Sequence, residues 1–237
     1  MSLGLVSVRQ ASAHYGKREV FRDVSFDLRS SQSLAVLGAN GAGKTTLLRM
    51  LVGCVSPTHG EIRIDGRPPK DALRRTSVAY FAGAATLPAA VRAAAWGRLG
   101  NGDEVTPDRR RIRVLSQGSK QLLGLRTVLS RHPLQLAVLD EPWEGLDVEG
   151  ARWLSATLES KRDRGAAIVV SSHRLHDLAA VCDGYLFLMP HQAVLLQAHE
   201  ISRAGPVTSA LLADVFERVR DRTPTIIREG LAPDTIP

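Results

Sequence analysis

One segment constrains this chain more than any other. Gly38-Ala39-Asn40-Gly41-Ala42-Gly43-Lys44-Thr45 fits the pattern G-x-x-x-x-G-K-[ST]. It follows an apolar run ending at Leu37 and opens a helical pattern, Thr45 to Val52. Glycines let backbone N–H groups close around phosphate oxygens, and the following helix turns its positive end toward the same anion. Lys44 is placed to reach the outer phosphates, and the Thr45 hydroxyl to ligate Mg²⁺. The loop demands a nucleoside triphosphate and a strand–turn–helix unit around it.

A second apolar run, Leu136-Ala137-Val138-Leu139, ends in Asp140-Glu141. In a parallel sheet the carboxyl ends of strands line the ligand crevice. Asp140 would hold Mg²⁺ through a water, and Glu141 can polarise an attacking water. A strand that merely ends in solvated acids is the plainer alternative, and the phosphate loop upstream argues against it.

The rest of the pattern is α/β. Strands are read at Leu3 to Ala13, Val24 to Leu28, Ser33 to Leu37, Glu61 to Asp65, Leu134 to Leu139 and Ala166 to Val170, with a terminal pair at Tyr185 to Met189 and Ala193 to Gln197. Helices are read at Gln117 to Ser130, Trp153 to Arg164 and Ser209 to Arg222, and the Ala- and Arg-rich stretch Gly83 to Val114 reads as a mainly helical insertion with a loop. Buried strands alternating with helices argue a largely parallel sheet. With 237 residues, 44% hydrophobic and 23% charged, disorder and collagen-like folds are excluded. The net charge of +7 favours anionic partners without choosing among them. Cys54 and Cys182 lack metal-ligand spacing and read as two small core residues in a reducing compartment. Met1 to Gln10 does not read as a signal peptide. The longest apolar stretch, Ala79 to Gly97, is broken by Pro88 and Arg92, so the chain does not read as crossing a membrane by itself.

Taken together, these motifs resemble the ATP-binding cassette family from about Leu5 to Gln197, and further motifs stand in the family's order. Leu115-Ser116-Gln117-Gly118-Ser119-Lys120-Gln121 is similar to its L-S-G-G-Q signature, with Ser116 and Gly118 intact. Pro142-Trp143-Glu144-Gly145-Leu146-Asp147 is similar to its D-loop, and Ser171-Ser172-His173 to its switch histidine. Tyr15 stands where the family stacks an aromatic ring on adenine. The resemblance implies a P-loop NTPase fold of ABC type with an antiparallel β subdomain and a short helical subdomain. It implies ATP and Mg²⁺ held by Tyr15, Gly38, Ala39, Asn40, Gly41, Ala42, Gly43, Lys44, Thr45 and Thr46, with Thr45 and Asp140 on the metal. Catalysis would fall to Glu141, His173 and Lys44; Ser116, Gly118 and Asp147 would serve a nucleotide site shared with a second ATPase subunit. Outside the family's logic, Ser116 and Asp147 also read as helix N-caps, Tyr15 as a packed ring and His173 as a strand-end residue.

Two departures stand out. The family carries a Gln after a strand of the type of Val78-Ala79-Tyr80; here Gly83 occupies that place, and no Gln exists between Gln32 and Gln117. The stretch from Gly83 to Leu115 is also short for the family, which implies a reduced docking surface or a small exporter-type partner. The arginines Arg109, Arg110, Arg111 and Arg113 read as a solvated face, and nucleic acid is not an expected partner. The expected domains are an ATPase domain over 4–200, its helical subdomain at about 84–133, and a C-terminal helix and loose tail over 201–237. The resemblance implies an ATPase subunit of a transporter, cytoplasmic and peripheral on the inner face of the cell membrane, working with separate transmembrane permease subunits. The L-S-x-G-x-K-Q signature resembles exporter types. The rivals are a weakly hydrolytic nucleotide-sensing cassette, and a soluble cassette ATPase acting outside transport.

Overall fold

The computed structural model describes residues 4–73, 77–100, 108–189, 192–203 and 205–221. In chain order the elements are β1 (Val6–Tyr15), β2 (Arg18–Leu28), β3 (Ser33–Leu37), α1 (Lys44–Leu51), β4 (His59–Ile64), α2 (Pro69–Ala72), β5 (Val78–Phe81), α3 (Ala93–Gly97) and α4 (Gln117–Leu129). There follow β6 (Leu136–Asp140), α5 (Val148–Asp163), β7 (Ala167–Ser171), α6 (Leu175–Val181), β8 (Gly184–Met189), β9 (Gln192–Gln197), α7 (Ala198–Ile201) and α8 (Ser209–Asp221).

Six strands form one sheet in the order β5-β6-β7-β3-β8-β9; all its pairs are parallel except β8–β9. Strand side chains alternate between faces, and a continuous apolar run means that both faces are covered. That is the pattern found. Ala35, Leu37, Ala137, Leu139, Ile168, Val170, Tyr185 and Phe187 enter the core shared with α4, α5, α6 and α8. Leu34, Val36, Leu136, Val138, Ala167, Val169, Leu186 and Leu188 enter the opposite core with α1 and the small sheet β2-β1-β4. That small sheet is antiparallel throughout, so the fold is the α/β type expected, with its antiparallel portion intact.

Three expectations change. Within Gly83 to Val114 the described residues hold only the five-residue α3 and two 3-10 turns, at Ala84–Thr86 and Ile112–Val114. The cause is local. Pro88 interrupts the run, and Arg111 is extended and bridges to Arg92, while the Arg110 carbonyl accepts from Ala93 N–H (2.9 Å). Tyr15 is the last residue of β1, paired with Arg18 across a two-residue turn, so the first strand runs past the Ala13 end read from the sequence. Cys54 is exposed in the turn after α1, whereas Cys182 is buried, as expected.

The C-terminal helix α8 packs on this core: Leu212, Val215 and Val219 point inward at helical spacing, and the Phe216 ring lies 6.3 Å from Phe187. The tail expected from Thr223 onward lies outside the described residues. Burial pushes the Cys182 thiol well above its ordinary range, so its reactive thiolate is scarce. Maleimide should therefore label one thiol of the native chain, Cys54, and both thiols in denaturant; mass spectrometry of the labelled peptides checks this.

Candidate functional site

The site grows from strand register. Asp140, the last residue of β6, pairs with Ser171, the last of β7, and Ser171 in turn pairs with Val36 of β3. Three strand ends therefore reach one edge of the sheet together, and the phosphate loop leaves β3 at that edge. Gly43 has φ 97°, and a Cβ there would lie 2.6 Å from a methyl of Val20. Only glycine fits, and it turns the loop into α1 with Lys44 as the first helical residue. Lys44 is buried, and its ammonium donates to the Gly38 carbonyl at 2.8 Å and that of Ala39 at 3.3 Å.

Thr45 and Asp140 meet here. The Thr45 hydroxyl donates to Asp140 Oδ2 at 2.6 Å, and the Ser171 hydroxyl donates to Asp140 Oδ1 at 2.5 Å. A hydroxyl and a carboxylate side by side are hard oxygen donors, the set suited to Mg²⁺ that keeps waters and phosphates as its other ligands. Among the described residues no cluster of three or more His, Cys, Asp and Glu could hold a metal alone. The donors thus fit a cation that arrives with a nucleotide.

Glu141 follows at φ 45°, a conformation that costs a non-glycine residue energy. Several contacts hold it. Its N–H donates to the Ser171 carbonyl and hydroxyl, each at 3.1 Å. Its Oε2 accepts from the His173 N–H at 3.2 Å and lies 2.9 Å from His173 Nδ1. His173 is 65% exposed, so the Glu141–His173 pair faces outward from the sheet edge. Tyr15 borders this region, exposed, with its hydroxyl 3.5 Å from Thr46 Oγ1.

The remaining motif residues form a second group. Ser116 caps α4, accepting from Ser119 N–H at 3.2 Å, and Asp147 caps α5, accepting from Gly150 N–H at 2.7 Å. Both N-cap readings are therefore realised. Gly118 backs onto the following loop, where a Cβ would lie 2.6 Å from the Gly145 carbonyl oxygen. Gly83 lies at φ 90°, ψ 160°, a region essentially reserved for glycine, so the Gln missing there could not simply be restored on this backbone.

Sequence reasoning passed over four residues. Ser171 was quoted only as part of a motif, yet its hydroxyl serves both Asp140 and Glu141. Arg18 lies beside the phosphate loop, its guanidinium 3.7 Å from where a Cβ on Gly41 would stand. Arg174 donates to the Trp143 carbonyl at 3.0 Å and pairs with Asp177 at 2.7 Å. Gln121 joins the two groups and is treated below. The signal for Arg18 was its place three residues after Tyr15; the others act through contacts that no spacing announces.

A glycine-rich loop, a hydroxyl–carboxylate pair and an outward carboxylate at parallel strand ends define a nucleoside triphosphatase of the phosphate-loop class. Residues 21–144 match the family model described as "ABC transporter". The chain is 34% identical over 204 residues to the zinc import ATP-binding protein ZnuC of Yersinia enterocolitica, covering 79% of this chain and 77% of that one. It is 36% identical over 213 residues to the ZnuC of Alcanivorax borkumensis, covering 84% and 80%. Among solved structures, an ATP-binding subunit of an ABC transporter matches with a TM-score of 0.75 at 23% identity, over 89% of this chain and 99% of that one. A nucleotide-free ATP-binding cassette from an ABC transporter matches at 0.71 and 13%, over 95% and 98%. The chain belongs to the ABC transporter family, as an ATP-binding subunit that energises transport.

Ser171→Ala removes a hydrogen bond from Asp140 and another from Glu141 N–H. It should cost about 1–2 kcal/mol of stability and lower ATP turnover about tenfold. Urea unfolding and a phosphate-release assay measure the two effects.

Proposed function

We propose that this chain binds Mg²⁺-ATP at the Gly38–Thr45 loop and hydrolyses it as one half of a two-subunit sandwich, driving substrate movement through separate membrane subunits. The observation that carries the reading is the Asp140–Glu141 pair, one carboxylate turned onto Thr45 and the next turned away onto His173. Adjacent carboxylates with different partners can serve different roles. Thr45 and Asp140 would hold Mg²⁺, which when bound would neutralise charge on the phosphates. Gly38, Ala39, Asn40, Gly41, Ala42 and Gly43 would wrap the phosphates with backbone N–H groups, Thr46 would border them, and Tyr15 would stack on adenine. Glu141 would orient the attacking water for in-line displacement, with Lys44 and His173 stabilising the charge that develops. Ser116, Gly118 and Asp147 would complete the other subunit's site. The exposure of Ser116 at the start of α4 supports this, since a helix N-terminus favours an anion through its free N–H groups and dipole.

Residues 4–200 would form the ATPase domain, 84–133 its docking subdomain and 201–221 a C-terminal extension against the core. Among the described residues no helix is long and apolar enough to cross a membrane. Attachment to the inner face of the membrane would therefore run through permease subunits. The export direction suggested by the signature finds no support in the relatives, whose names state zinc import. Import is the better-supported direction, with zinc as the first cargo to test. A second reading, a nucleotide-sensing cassette of low turnover, is favoured by Gly83 alone.

One experiment separates them. Turnover by the purified chain should rise more than linearly with its concentration. Glu141→Gln should lower it about a hundredfold while ATP affinity stays within about twofold. Turnover that survives Glu141→Gln would remove Glu141 as the base. Nucleotide binding without turnover, in the chain alone and with its membrane subunits, would favour the sensing cassette.

A further inference from the structure

The first two turns of α4 carry a buried amide with an uncommon set of partners. Gln121 is 2% exposed. Its Nε2 donates to the Glu141 carbonyl at 3.1 Å and to the Pro142 carbonyl at 3.0 Å, and its Oε1 accepts from Ala84 N–H at 3.0 Å. Two carbonyls require the NH₂ end and one N–H requires the oxygen end, so the partners themselves dictate how the amide is turned. Both of its N–H groups are used. No other side-chain type of this length offers two donors and an acceptor in one plane.

The partners adjoin two positions of positive φ. Glu141 holds φ 45°, and Gly83, just before Ala84, holds φ 90°, which glycine adopts freely. The Glu141 conformation persists only where the surroundings over-determine it. Ser171 holds the N–H side of Glu141, and Gln121 holds its carbonyl side together with the Glu144 N–H, each at 3.1 Å. The rotation of the Glu141 backbone decides where its carboxylate points. Gln121 also fastens the turn that begins the 84–114 segment, and it does so from the helix that Ser116 caps.

We propose that Gln121 is a positioning residue for Glu141. It is also the link through which a displacement at the Gly83–Ala84 turn reaches the Glu141 backbone, in a chain that has no Gln at position 83. This rests on the ATPase reading above. Gln121 acts through Glu141, and its removal should therefore lower turnover and leave nucleotide affinity in place.

The test compares the full-length wild type with Gln121→Met, which keeps the volume and removes the hydrogen bonds. Thr127→Val is the control: Thr127 is buried on the same helix, and its hydroxyl donates to the Leu123 carbonyl at 2.8 Å. Turnover, KM, affinity for a fluorescent ATP analogue, melting temperature and amide exchange at Ala84 are measured for each. For Gln121→Met we expect kcat to fall about tenfold with ATP affinity and KM within about twofold, and Ala84 to exchange about tenfold faster. Thr127→Val should keep kcat within about twofold even where its melting temperature falls as far. Should Gln121→Met fail to fold, Gln121→Asn, whose amide stops one methylene short, carries the same comparison. Unchanged kcat, or kcat and affinity lost in parallel, would overturn the positioning role. Unchanged exchange at Ala84 would overturn the link. A wild type without turnover, alone and with its membrane subunits, would instead overturn the ATPase reading, and the Ala84 exchange would still decide whether Gln121 holds the turn.

Discussion

Asp140 accepts from two hydroxyls that come from opposite directions, Thr45 on one oxygen and Ser171 on the other. Much of the site depends on this arrangement. A half-buried carboxylate is tolerable only when its oxygens are satisfied, and bonds to a charged acceptor are short and strong. Meeting that need draws the start of α1 against the end of β6 and ties β6 to β7 at the same height. The phosphate loop then has one place to go. Glu141 is forced outward because its neighbour has taken the inward position.

The loop that follows Glu141 is held from several sides. Trp143 is fully buried in the core beneath it. Gln121 holds the carbonyls of Glu141 and Pro142, Arg174 holds that of Trp143, and Gly118 lies against Gly145. Helix α4, the segment after β7 and the acid pair therefore converge on one short stretch of backbone. Convergence of this kind gives two distant motifs a mechanical route to each other within one subunit, since packed elements shift as units rather than deform continuously.

How much was legible depended on whether a contact was local. Leu136 to Leu139 and Ala167 to Val170 were readable as buried strands because an uninterrupted apolar run has no solvent face. The phosphate loop was readable because its residues act through their own backbone. Ser116 and Asp147 were readable as caps because a cap bonds an N–H two or three residues away. The segment after Gly83 was misread because alanine raises helix propensity while Pro88 and the pairing of Arg92 with Arg111 override it. Cys54 was misplaced because composition says nothing about which side of a turn faces water. Gln121 stood in plain sight within the signature heptad, and its three partners lie 20 to 37 residues away in sequence.

The sequence by itself determined the residues from which the proposed chemistry is built, a glycine-rich loop, a hydroxyl and two adjacent carboxylates, and the family to which they belong. These are properties of residue types at short spacings, where backbone geometry leaves few alternatives. Only the tertiary structure decided which oxygen of Asp140 meets Thr45, why Glu141 points away from it, that Gly83 stands on a backbone a glutamine would not adopt, and that Gln121 spans both. Those outcomes follow from the register of β3, β6 and β7 and the packing of α4, and register is set by the whole sheet rather than by any segment within it.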